Sequence, residues 1–385
     1  MKWTLIVIGV ITLLVMAALA VPLPLWRSGE VPQPDLLYLP SARDTVRPAR
    51  VWIDADAACG TGKRRDPDDC LALLSLASAT HIDIAGISTV FGNLPVSQAD
   101  QVMRALVQEL GSYRGRPVSA SLPVFKGCGA AAPKCLEDGG SHDAQAALRQ
   151  ALQRGPLDVV ALGPLTNLAA VLAQEPALSR RINRVVAVMG RRPGHRFHPS
   201  ENRATGAVLF GHGPIFRDLN AVLDPQAVAV VLASGIPVIL IPYTAARQVS
   251  VTGGDLDRIA RTGPAGQWVA ERSRAWLEFW RSDAGLDGFY PFDLMAAAYV
   301  RDPTHFGCAR VTAWLGDDAL LPWFGGGPAL LVAQQAGSPA SATVATEALY
   351  CDRVTARVDE LFLSLDAKRK GAAAWPRSKN SSWNE

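Results

Sequence analysis

Charge of one sign is what this chain most plainly lacks. Its 38 lysines and arginines stand against 35 aspartates and glutamates, leaving +3. So small a balance gives no global field for nucleic acid and argues against nucleic-acid binding as the main function. Short basic runs (Lys63 to Arg65, Arg191 and Arg192) read as solvated loops. Cysteine is sparse: six residues, none at CxxC spacing, which argues against a structural zinc site. No internal repeat is visible. What the chain does have is size and apolar content. Its 385 residues are 49% hydrophobic, enough for one large α/β domain or two small ones.

The N-terminus carries the longest apolar run. Lys2 precedes uncharged residues 3–21, Pro22 and Pro24 come next, and Ala18-Leu19-Ala20 has the small-x-small form of a cleavage site. Residues 1–21 therefore read as a signal peptide or an N-terminal membrane anchor, and either one exports the remainder of the chain. Residues 22–49 are rich in Pro and Arg and read as a linker; 50–367 form the domain; 368–385 are a polar, disordered tail. The expected location is periplasmic or extracellular, with membrane contact only through the N-terminal segment. In an oxidising compartment the six cysteines form disulfides, and the sequence-local pairing is Cys59–Cys70, Cys128–Cys135 and Cys308–Cys351. No oligomeric interface is marked; a homo-oligomer stays open.

Periodicity predicts strands over 50–53, 83–90, 157–162, 184–189, 237–241, 329–332 and 342–350. It predicts helices over 67–79, 97–110, 142–153, 165–172, 225–233, 256–280, 291–300 and 355–365. Residues 190–215 lack periodicity and read as a long surface loop. Strands alternating with helices imply an α/β fold: a doubly wound, mostly parallel central sheet flanked by helices. Ligands bind such sheets beyond the carboxyl ends of the strands. Asp54, Asn93, Gly163-Pro164 and Met189 all fall at predicted strand ends, so four segments point to one rim.

The strongest local signal is Asp54-Ala55-Asp56 at a strand end, with Asp68-Asp69 opening the next helix. Four carboxylates so close repel one another and are costly without a cation. Hard oxygen donors favour Ca²⁺ or Mg²⁺, and the helix N-terminus offsets part of the charge. An N-cap with solvated acids explains Asp68 or Asp69, but not the strand-end pair as well.

With further motifs in order, the chain resembles the inosine–uridine-preferring nucleoside hydrolases. These are Ile87 through Asn93, Ala161-Leu162-Gly163-Pro164-Leu165-Thr166-Asn167-Leu168-Ala169, Val186 through Gly190, Asp218-Leu219-Asn220 with Asp224-Pro225-Gln226-Ala227, and Phe292-Asp293. The resemblance implies that Asp56, Asp69 and Asp293 ligate Ca²⁺ by carboxylate and Thr166 by its backbone carbonyl. It implies that Asp56 is the general base, that Asp68 and Asn220 bind the ribose diol, and that Asn93 holds water and sugar. Met189 falls in the substrate site and Asp54 behind the ligands. The implied reaction is calcium-dependent hydrolysis of the N-glycosidic bond of a ribonucleoside or related N-riboside, releasing base and ribose through an oxocarbenium-like sugar.

Departures concentrate on the other half of the site. The acidic turn is lengthened over 57–67 and carries Lys63, Arg64 and Arg65, placed to bind a phosphate or to screen the acids. Asp218 stands where the family has Glu, and His212 where a sugar-binding Asn is expected, as a substitute donor or a plain loop residue. Phe292 stands where many members carry a His that protonates the leaving base; an aromatic there can instead stack on a base. Two other readings stay open: a non-catalytic exported nucleoside- or sugar-binding protein, favoured by Phe292, and a HAD-type phosphatase using Asp54-x-Asp56.

Overall fold

A computed structural model describes residues 35–39, 48–113, 115–137, 143–193, 195, 218–317, 328–334 and 344–355. Residues 1–21, most of the predicted linker, His212, the predicted helix over 355–365 apart from its first residue, and the tail lie outside them. No helix among the described residues is long and apolar enough to cross a membrane.

The strands of the main sheet are β1 (Ala49–Ala55), β2 (Ile82–Thr89), β3 (Val124–Lys126), β4 (Leu157–Ala161), β5 (Ile182–Ala187), β6 (Val238–Leu240), β7 (Phe306–Asp317), β8 (Pro328–Ala333) and β9 (Ala345–Val354). The helices that position the site are α1 (Asp68–Ser78), α2 (Val96–Leu110), α3 (Asp143–Arg154), α4 (Thr166–Gln174), α5 (Leu219–Leu223), α6 (Pro225–Ala233), α7 (Gly253–Ala260), α8 (Pro264–Phe279) and α9 (Phe292–Arg301). Among the described residues the sheet order is β8-β7-β9-β6-β5-β4-β1-β2-β3. All neighbours pair in parallel except β7, which runs antiparallel to both β8 and β9.

Alternation along β1 explains its central place. Val51, Ile53 and Ala55 point into one core with Leu71, Met103 and Leu294, while Trp52 enters the other with Leu148, Leu168 and Val228. A strand buried on both faces is mainly apolar, and β4, Leu-Asp-Val-Val-Ala, is buried at every position, its one charged residue, Asp158, being paired with Arg184 at 2.6 Å. The chain runs outward from β1 through β2 to β3, then returns to β4 on the opposite side of β1. The strand order therefore reverses between β1 and β4. The crevice beyond their carboxyl ends is where such a fold binds ligands, and Asp54 pairs in register with Ala161 at that edge.

Four sequence expectations are corrected. The predicted helix over 256–280 is two helices, because Gly263, at φ 139°, and Pro264 break it. Thr252 and Asp255 close a capping box on α7, and Pro264 starts α8. Strands β3 and β7 were not foreseen: β3 is three residues long, and β7 interrupts its apolar residues with Gly307, Arg310 and Thr312, its place being set by partners on both sides. Arg191 is buried rather than solvated, donating to the His195 carbonyl at 2.9 Å. Part of the predicted linker is packed: Leu36 is buried and the Leu39 N–H donates to the Cys308 carbonyl at 2.8 Å.

The cysteines pair as expected, Cys59–Cys70, Cys128–Cys135 and Cys308–Cys351, which is compatible with an exported protein. The third joins β7 to β9 and closes the longest loop, a separation of 43 residues. Replacing Cys308 and Cys351 by Ser is expected to cost about 2–4 kcal/mol. Urea unfolding without reductant checks this; an unmoved midpoint refutes it.

Candidate active site

Three chain elements end at one point. Asp56 lies just beyond the carboxyl end of β1, Asp69 is the second residue of α1, and Asp293 is the second residue of α9. One carboxylate oxygen from each lies within 4.8 Å of the others, and all three side chains are buried. Main-chain donors fix the acids. The Asp56 N–H donates to Asp69 Oδ1 at 3.1 Å, and the Asp293 N–H to Asp68 Oδ2 at 2.8 Å. Asn93 holds Asp56 twice, from its main chain at 2.7 Å and from Nδ2 at 3.2 Å.

The helix N-termini of α1 and α9 favour negative charge here, yet the acids remain short of partners. Asp69 Oδ2 is buried and accepts no hydrogen bond. Burial pushes the carboxyls of Asp54 and Asp56 up to about 7. It raises Asp68, and it lifts Asp66, Asp69 and Asp293 well above the ordinary carboxylate range, with neighbouring carboxylates adding to burial for these three. Such a buried, all-oxygen donor set with an orphaned acceptor fits a hard divalent cation.

Behind the triad, Asp54 accepts from Ser88 Oγ at 2.7 Å and from Asn167 Nδ2 at 2.8 Å. Asn167 Oδ1 accepts from the Cys128 N–H at 2.9 Å and from Gln145 Nε2 at 3.0 Å, which ties Asp54 to the loop closed by Cys128–Cys135. Gly92 leaves room for Asp56: a Cβ at this glycine would sit 1.7 Å from Asp56 Oδ2. Gly92→Ala must displace a carboxylate of the triad. It is expected to lower kcat/KM for N-riboside hydrolysis, the reaction proposed for this site, about 100-fold; wild-type kinetics in this variant would refute the placement.

A cavity of about 430 Å³ opens at Asp293; Asp56 and Asp69 are not among the described residues that line it. Of the residues marked in the sequence, Asp68, Asn93, Met189, Asp218, Asn220, Phe292 and Asp293 line it. Asp218 accepts from the Gly190 N–H at 2.6 Å and the Ala221 N–H at 3.4 Å, so it also caps α5, and burial raises it to about 6. Asn220 Nδ2 donates to the carbonyls of Leu162 and Val188 at 2.7 and 3.1 Å. Thr166 is buried at the start of α4 but is not among the described residues that line the cavity; its hydroxyl donates to Asp224 Oδ2 at 2.7 Å.

Several lining residues were missed in the sequence. Asp66 accepts from the Asp68 N–H at 3.2 Å, and the run Asp66-Pro67-Asp68-Asp69 was the available signal. Tyr243 and Trp276 had none, because only the fold brings them to the rim. The inserted basic loop reaches the mouth: Arg64 pairs with Asp283 at 3.1 Å, and Arg65 donates to the Asn93 carbonyl.

Residues 51–356 match the family described as inosine-uridine preferring nucleoside hydrolase. The pyrimidine-specific ribonucleoside hydrolase RihA of Citrobacter koseri is 30% identical over 163 residues, a match spanning 42% of this chain and only 46% of that protein. The non-specific ribonucleoside hydrolase RihC of Escherichia fergusonii is 27% identical over 257 residues, 62% of this chain and 77% of its own. A solved plant nucleoside hydrolase superposes with a TM-score of 0.61 at 18% identity, covering 82% of this chain and 99% of the other, a likeness of fold. With strand-end acids, helix-start acids and the central Gly163-Pro164-Leu165-Thr166-Asn167 motif in place across a match this long, the chain belongs to the inosine-uridine preferring nucleoside hydrolase family.

Proposed function

We propose that the protein hydrolyses the N-glycosidic bond of a ribonucleoside or related N-riboside, with Ca²⁺, releasing base and ribose. The observation that carries this reading is the buried triad Asp56, Asp69 and Asp293 beside a cavity at the switch point of the sheet, with Asp69 Oδ2 left without a partner. These three carboxylates would hold the cation, with the Thr166 carbonyl as a fourth ligand. When bound, it supplies charge that polarises a water and the ribose hydroxyls.

The protein's own groups do the rest. Asp56, oriented by Asn93, takes the proton of the attacking water. Asp68 and Asn220 bind the ribose diol, and Met189 and Asp218 complete the substrate site. Asp54, held by Ser88 and Asn167, fixes the floor. The carboxylates stabilise positive charge developing on the sugar. The N-terminal segment and the disulfides support action outside the cytoplasm, whether the segment is cleaved or kept as an anchor.

The test is ribose release from a nucleoside panel by the purified protein, with calcium and after chelation. Turnover that disappears on chelation and returns with calcium is the expected result. Phe292 favours one other reading, a non-catalytic nucleoside- or sugar-binding protein; binding without any ribose released by wild type would establish it and end the enzyme reading. Family membership displaces the phosphatase alternative.

A further inference from the structure

Hydrolysis of an ordinary nucleoside expels the base as an anion unless a nearby acid protonates it, and such an acid contributes about 10²–10⁴-fold. Histidine, the side chain best suited to this near neutral pH, is not among the described residues that line the cavity. Phe292 occupies the position directly before Asp293. What the wall provides is aromatic surface. Tyr243 and Phe292 stack with centroids 5.8 Å apart and planes 27° apart, and Trp276 lines the same cavity. Asp66 and Asp68 also line the cavity. The two arginines at the mouth are drawn elsewhere, Arg64 to Asp283 and Arg65 to the Asn93 carbonyl. Aromatic faces attract a delocalised cation.

We propose, resting on the N-riboside reading, that the favoured substrates are N-ribosides whose base is cationic at the glycosidic nitrogen, such as a ribosylpyridinium. The chemistry then balances without an acid. The C1′–N bond breaks and its electron pair passes to the ring nitrogen, so the base departs as a neutral pyridine. Water forms the new C1′–O bond, and its proton goes to Asp56.

The test uses the full-length protein with calcium and three probes: 3-carbamoylpyridinium β-D-riboside, inosine and p-nitrophenyl β-D-riboside, whose leaving group departs as a stabilised anion. We expect kcat/KM for the pyridinium riboside to exceed that for inosine by about 100-fold or more, the contribution a leaving-group acid would make, with p-nitrophenyl riboside also cleaved. A smaller ratio, with ribose released from inosine, overturns the preference but keeps the N-riboside reading, and it would assign a proton donor to the wall, Tyr243 being the candidate. No ribose from either N-riboside overturns both. Phe292→His is expected to raise inosine turnover and narrow the ratio about tenfold or more; an unchanged ratio overturns the role given to Phe292.

Discussion

Asp56→Asn is expected to lower kcat/KM for ribose release by about 10⁴-fold, the upper part of what a positioned base contributes, because the same carboxylate is also a member of the cation-holding triad. The amide is nearly isosteric, so gross misfolding is not the expected cause. Its effect on stability should have the opposite sign. Without a cation, the buried carboxylates repel one another, and removing one charge should leave the melting temperature of chelator-treated protein unchanged or raised. Calcium should then give the variant little or none of the stabilisation it gives wild type. Kinetics and thermal melts on the same preparations check both halves, and unchanged turnover would sink the assigned mechanism.

Calcium at about a hundred times its Kd is expected to stabilise the wild type by about 2.7 kcal/mol, and the gain should depend on pH. Burial holds Asp54 and Asp56 at about 7, above their ordinary 3.8. A carboxyl raised on folding stabilises the folded state below its unfolded pKa and loses that contribution as pH rises through the folded value. The cation-free protein should therefore weaken between about pH 4 and pH 7. Calcium needs the ionised carboxylates, so its stabilisation should grow over the same interval. Melting curves with calcium and with chelator, from about pH 5 to pH 8, read both trends. A melting temperature indifferent to calcium at the upper end would refute a cation site at the triad.

The acids were legible in the sequence because their backbone settings are local. Asp54 and Asp56 come at the end of an apolar strand, and Asp68, Asp69 and Asp293 open helices. The doubly wound sheet could be read from the same alternation, and the disulfides from sequence proximity. What was not legible depends on contacts between distant segments. Asn167 reads as a helix-start residue, and only packing places it between Asp54 and Cys128. Tyr243 and Trp276 read as ordinary apolar positions until α8 and the segment after β6 meet over the cavity. Strand β7 has no continuous apolar run and is specified by neighbours formed from later sequence. His212 lies outside the described residues.

The triad draws on β1, α1 and α9, the beginning and the far part of the domain. An ion gripped by all three would act as a removable cross-link closing most of the chain into a loop. Helix α9 packs along α1, so the two could not part without tearing the ligand shell. Amide hydrogen exchange along α9 should then slow when calcium is added, even far from the acids, because the local opening that exposes those amides becomes as costly as releasing the ion.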